Sequence, residues 1–315
     1  MIKKIKGKLI ASPPVQSLIS FSKRTSLPGF KGASLYYVVS FFQRGIAKGN
    51  VNTRASALAF HFFLALFPSI IFLFTLIPFV PVPNFQDKLL ATLELFMPDT
   101  AFDAAKETII EIVTRQNGGL LSFGFFLAMY FSTNGFNAII NNFNKSYHTT
   151  FKRSPLRQRL TSLYMVLLTN FVILAGVTLL VFTEYALKNY LHEVRPGVKF
   201  VIVVGRWVLM YFMFLLLISI IYFMAPASTK NRWSFFSPGS MFATFLMVAA
   251  SLGFAYFVNN FGAYNKIYGS LGSLIVVMLW IYFNSLFLLL GFELNASISS
   301  AGKNAQWKVR DSGNK

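Results

Sequence analysis

Cysteine is absent from this chain of 315 residues, and charge is scarce. Without thiols there is no disulfide, thiolate zinc site, iron–sulfur cluster or cysteine nucleophile. Charged side chains supply 12% of the sequence and acids number only 10, whereas a soluble domain carries roughly 25% charge. Histidine occurs three times, as His61, His148 and His192. They form no HxHxDH-like cluster, and neither a P-loop nor a Ser-His-Asp ordering is visible. ATP-driven transport and metal-dependent RNA hydrolysis therefore lack their usual residues, and no metal, cofactor, nucleotide or enzymatic activity is expected. What is present is apolar. Hydrophobic residues make up 55% of the chain, Phe alone contributes 37, and mean hydropathy is +0.57. A water-soluble fold has nowhere to bury that much Phe. The remaining charge is lopsided, with 29 Lys+Arg against 10 Asp+Glu. In so apolar a chain this excess points to loops facing anionic lipid rather than to nucleic acid.

Apolar runs long enough for a bilayer core occur at about 55–78, 120–144, 160–183, 200–225, 236–258 and 271–298. None shows the period-two alternation of a barrel strand. The expected fold is an all-α integral membrane protein with six transmembrane helices. The start, MIKKIKGKLIASPP, has no apolar core of signal-peptide length before its prolines, so the first span is expected to act as the insertion signal. Segments 1–54, 145–159, 226–235 and 299–315 together hold 21 basic residues and one acid. The alternate loops 79–119, 184–199 and 259–270 hold 7 basic residues and 8 acids. The positive side faces the cytoplasm, so both termini are expected there. Residues 1–33 read as a basic flexible tail, 34–298 as the membrane domain and 299–315 as a second basic tail. Within the domain, 34–48 (SLYYVVSFFQRGIAK) has the pattern of an interfacial amphipathic helix. The loop 79–119, broken at Pro98, reads as an external helical cap.

Ionisable or amide groups inside spans are costly and draw attention to a site. His61 lies near the cytoplasmic end of the first span and Glu293 near that of the sixth, at similar depth, where they could share a pocket. Each has a structural alternative, an interhelical hydrogen bond for His61 and a helix-fastening carboxyl for Glu293. Arg206, in the outer half of the fourth span, either serves the interior or snorkels to headgroups. The second span places Asn134, Asn137, Asn141 and Asn144 at offsets 0, 3, 7 and 10, which lie along one helix face. Four amides cannot face hydrocarbon unpaired. They either line a wet cavity with His61 and Glu293, open to the cytoplasm, or bond neighbouring helices in a dry bundle. Pro68 should kink the first span. Ala55/Ala59 and Ala249/Gly253 are small pairs that would permit close helix approach, suiting a homo-oligomer or a tightly packed monomer equally.

Three blocks, RASALAFHFFLALFP (54–68), FNAIINNFNKSYH (136–148) and YGSLGSLIVVMLWIYFNSLFLLLGFELNA (268–296), together resemble the YihY/BrkB-type family of six-span bacterial inner-membrane proteins. The resemblance covers nearly all of the chain after residue 34. It implies a bacterial inner-membrane location and a link to envelope integrity. It also implies a proposed role in transport, including of lipid-type substrates. An older ribonuclease label attached to the family finds no residues here to support it. The expected function is a non-ATP-driven transporter or lipid-translocating protein with membrane lipids, chiefly anionic headgroups, as partners. The alternative is a scaffold that binds lipids or partners without moving them.

Overall fold

The structure, a computed structural model of the chain, describes residues 13–75, 87–88, 90–91, 120–146, 153–190, 196–227, 235–260 and 270–312. Eight helices form among them: α1 Pro13–Arg24, α2 Leu35–Lys48, α3 Val51–Thr75, α4 Leu120–Asn144, α5 Pro155–Tyr190, α6 Pro196–Met224, α7 Pro238–Asn260 and α8 Ser270–Ser312. The protein is an all-helical integral membrane protein. Four stretches are long and apolar enough to cross a bilayer: Pro155–Thr183, Phe200–Met224, Pro238–Phe257 and Leu274–Gly302. Their outward surfaces show why they need lipid. Phe171, Phe200, Val201, Phe245 and Tyr256 are each more than 60% exposed, a continuous apolar exterior that water would not tolerate.

Six helices close into a ring. Each of α3 to α7 packs on its successor, and α8 returns to α3. One core cluster draws from all six: Leu58 of α3, Phe143 of α4, Met165 of α5, Tyr222 of α6, Ala243 of α7 and Phe292 of α8 are buried together. Phe143 and Phe292 stack at 3.8 Å between centroids, and Tyr222 meets both edge-on. These residues come from the first turns of α3, α5 and α7 and the last half of α4, α6 and α8. Among the described residues, this shared core gathers at the end where α3, α5 and α7 begin.

Proline and glycine shape the helices and their turns. Pro155, Pro196 and Pro238 each occupy a first helical position, where the missing N–H costs nothing. Between α2 and α3 the chain turns through Gly49 and Asn50, the latter at φ 46°, a left-handed conformation that Asn tolerates better than most residues. Pro68 lies inside α3 and removes the amide that would bond the Leu64 carbonyl. At the α7–α8 crossing, a Cβ on Gly291 would approach the Tyr222 hydroxyl and the Ala243 methyl, the latter at 2.7 Å. Tyr222 of α6 donates to the Leu288 carbonyl of α8 at 2.6 Å beside this crossing.

Residues 13–24 are helical, and the turn that follows buries Phe30 and Ala33 with Val38 of α2 against Ile298 and Ala301 of α8. Helix α2 thus lies on the last part of α8 while Tyr37 and Val39 remain exposed. The small pair Ala55/Ala59 is buried. The pair Ala249/Gly253 does not pack against another helix of this chain among the described residues: both residues are exposed, and a Cβ on Gly253 would meet nothing within 4 Å. The expected external loop 79–119 lies almost wholly outside the described residues, as do His148, His192 and the turn 261–269.

Candidate functional site

Helices α3 and α4 meet where small residues allow it. A Cβ on Gly135 would sit 3.2 Å from that of Ala65 and 3.3 Å from the Phe62 ring. Beside this contact lies a cavity of about 450 Å³ lined by His61, Leu64, Ala65, Phe131, Asn134, Asn137, Ala138 and Asn141. The 3.6-residue period puts Asn134, Asn137 and Asn141 on the α4 face that flanks it. The start of α5 holds the other edge of that stripe. Gln158 donates from Nε2 to the Oδ1 of Asn141 at 2.8 Å and to the Oδ1 of Asn137. Arg159 donates from Nη1 to the Oδ1 of Asn134 at 2.8 Å and from Nη2 to the Tyr130 carbonyl at 3.1 Å. Its guanidinium also lies 4.1 Å from the centre of the Tyr130 ring, a cation–π contact that holds it flat against α4. His61 is exposed into this space, with Phe60 as its ring neighbour at 6.1 Å.

Glu293 and Asn144 lie elsewhere. Glu293 is completely buried and pairs with Arg54, Nη1 to Oε1 at 2.7 Å, while the Ser146 hydroxyl donates to its second oxygen at 2.9 Å. Arg54 also donates to the Asn142 carbonyl at 2.7 Å and the Gly49 carbonyl at 3.3 Å. This cluster joins the start of α3, the end of α4 and α8 on the closed side of the ring. Asn144, also off the cavity, has a buried Oδ1 with no hydrogen-bond partner among the described residues. Arg206 is half-buried on α6, a helix that contributes nothing to the cavity wall. Pro68 follows the cavity residues Leu64 and Ala65 by one turn.

A second space of about 250 Å³ opens on the opposite side of the α3–α4 contact. It is lined by Phe62, Leu66, Ser69, Ser132, Trp280 and Asn284 among others. A third, about 430 Å³, lies between α5 and α6 beside Arg153. Arg153 itself is committed, donating to the carbonyls of Met224, Ala225 and Pro226 at 2.7–2.8 Å. It therefore caps the carboxyl end of α6. Burial lowers its pKa from the ordinary value, although a guanidinium keeps its charge. Among the described residues no group of three or more His, Asp or Glu gathers to hold a metal.

Sequence reasoning missed Arg54, Ser146, Gln158 and Arg159. Arg54 and Arg159 entered only as loop charge, because each precedes the uninterrupted apolar run of its helix. Helix extension would have found them: α3 begins at Val51 and α5 at Pro155, so both arginines already lie on helical faces.

The sequence model described as Virulence factor BrkB matches residues 42–313, which include every helix of the ring and every residue of the cavity. The chain belongs to the BrkB family. Among its relatives, the Bacillus subtilis protein named "Putative ribonuclease-like protein YfkH" is 32% identical over 254 residues, covering 80% of this chain and 91% of that one. A UPF0761 membrane protein of Vibrio campbellii is 27% identical over 281 residues, 85% of this chain and 84% of its own length. Another, from Tolumonas auensis, is 24% identical over 270 residues, 82% and 84%. No solved structure matches this BrkB-family chain.

Proposed function

We propose that this BrkB-family protein is a non-ATP-driven carrier of the bacterial inner membrane. It moves a lipid-type substrate by way of the cavity between α3 and α4, and so serves the integrity of the envelope. The observation that carries the reading is the gathering of His61, Asn134, Asn137 and Asn141 around one space of about 450 Å³ in a bundle whose exterior is apolar. Polar groups at membrane depth are expensive and mark substrate pathways. Helices α3 and α4, 25 residues each, complete a set of six spans with the four already described. The excess of 21 basic residues on the side of both termini supports a cytoplasmic placement for those termini. In that topology the start of α5, and the cavity beside it, face the cytoplasm.

Glu293 does not belong to the carrier step in this reading. Its Oε1 is engaged by Arg54 and its Oε2 by Ser146, which suits a fastener of helices. Both carboxylate oxygens already accept a hydrogen bond, a use that helix fastening explains without hydrolytic chemistry. A second reading, a non-transporting scaffold, is favoured by the bonds of Gln158 and Arg159 to the amide stripe, which resemble helix glue.

The absence of native cysteine makes the test direct. Asn137→Cys and Asn141→Cys should react with a membrane-impermeant maleimide in inverted vesicles and be protected in right-side-out cells. In proteoliposomes, Asn137→Leu should lower the flux of a headgroup-labelled phospholipid at least tenfold while the protein stays folded. Silent cysteines together with unchanged flux would give the scaffold reading precedence.

A further inference from the structure

The directions of the hydrogen bonds around the cavity carry a statement about its ligand. Arginine can only donate, so Arg159 consumes the Oδ1 of Asn134. Gln158, donating from Nε2, consumes the Oδ1 of Asn137 and of Asn141. All three acceptors on this wall are thus turned toward α5 and occupied. The three Nδ2 groups donate to nothing among the described residues, and they belong to residues that line the open space. The guanidinium behind Asn134 polarises that amide further, strengthening its N–H groups as donors. Among the described residues, no carboxylate lines the cavity.

The geometry points to a binding site for a phosphate oxyanion, taken up by the Nδ2 groups of Asn134, Asn137 and Asn141 beside His61, with Arg159 supplying positive charge from behind Asn134. This deepens the carrier reading and rests on it only in sharing its cavity. The same chemistry would accept a phospholipid headgroup or free phosphate. A neutral lipid such as diacylglycerol offers too few acceptors to satisfy three amides, and a cationic headgroup without phosphate would be repelled.

Asn134→Asp is the decisive variant because it is isosteric and reverses one wall. The new carboxylate still accepts from Arg159, more strongly than the amide did, so the helix contact is kept. Its second oxygen replaces the donor with a negative acceptor. The full-length protein is equilibrated in detergent with equal amounts of phosphatidylglycerol and diacylglycerol, and retained lipid is read by native mass spectrometry. A parallel titration with inorganic phosphate alone reads thermal stability. Wild type should retain phosphatidylglycerol at least tenfold over diacylglycerol, and Asn134→Asp should lower that retention about tenfold at an unchanged or higher melting temperature. Stabilisation by inorganic phosphate that Asn134→Asp abolishes, without lipid selectivity, would uphold the oxyanion site and make its source soluble. Equal retention of phosphatidylglycerol by both proteins with no phosphate effect overturns the proposal. So does a lipid-free dimer that forms through this face and is lost in the variant. Binding without flux in proteoliposomes would remove the carrier reading and leave this site standing. Flux without Asn134-dependent binding would do the reverse.

Discussion

At the scale of single residues, the buried pair Arg54–Glu293 sets the terms. Each charge costs several kcal/mol to remove from water, and the attraction between them repays this only with good geometry and further hydrogen bonds. Here Arg54 has three acceptors and Glu293 a second donor in Ser146, while the buried Nε of Arg54 has no partner among the described residues, so most but not all of the pair's polar atoms are satisfied. Removing one member leaves the other buried and uncompensated. Glu293→Gln or Arg54→Met should each cost about 3–5 kcal/mol, measured as thermal or denaturant unfolding in detergent. The double variant Arg54→Met/Glu293→Met should recover most of that loss, since no lone charge remains. Additive losses would show that the two residues do not act as a pair. Glu293 was legible as an expensive residue, but its partner was not. The two stand 239 positions apart, and no local spacing encodes the return of the last helix to the first. The amide stripe was legible for the opposite reason: Asn134, Asn137 and Asn141 share a face of one helix, and periodicity alone places them together.

At the scale of elements, close approach is decided by which glycine meets backbone. A Cβ on Gly239 would run into the Gly291 carbonyl and, at 2.5–2.6 Å, the Asn295 side chain. That amide is itself in use: Asn295 accepts from the Gly239 amide at 2.8 Å and donates to the Ser237 hydroxyl at 2.7 Å, tying down the start of α7. Gly239→Ala must push α7 from α8 or break this cap. Overpacking costs typically about 1–3 kcal/mol, so the variant should unfold at a visibly lower temperature. Gly253→Ala, on the exposed side of the same helix, should be neutral within about 0.5 kcal/mol. Equal effects from the two would mean that intrinsic helix propensity, not the crossing, controls α7. The helices themselves could be read from hydropathy, with ends displaced by a few residues from the apolar runs. Their contact faces could not. A small-xxx-small pair marks a face that permits close packing, and Ala249/Gly253 shows that permission is not contact. Segment 13–33 likewise read as a tail because Ser, Pro, Gly and Lys dominate it. Its two buried side chains, Phe30 and Ala33, became meaningful only once α8 extended far enough to receive them.

At the scale of the whole molecule, the described residues of the ring share a core at the end where α3, α5 and α7 begin, and its described spans are sparsely buried. The described spans bury between 11% and 39% of their most apolar windows inside the protein, while the shared core cluster gathers at the end where α3, α5 and α7 begin. The amide-lined cavity sits between α3 and α4, beside that core. Helix α8, 43 residues long, would span about 65 Å at the usual rise, roughly twice a hydrocarbon core. Its last turns must therefore leave the bilayer, and they do so on the side where α2 docks against Ile298 and Ala301. Which compartment the cavity opens to depends on which compartment holds that side. The proposed topology, drawn from 21 basic residues against 7 and the positive-inside tendency, puts it in the cytoplasm. Reporter fusions after residue 230 and at the carboxyl terminus should then be active only as cytoplasmic reporters. A fusion after residue 190 should be active only as a periplasmic one. A periplasmic signal from the carboxyl terminus would turn the whole bundle over. The oxyanion site would then open outward, and the 21 basic residues would need a partner other than the anionic inner leaflet.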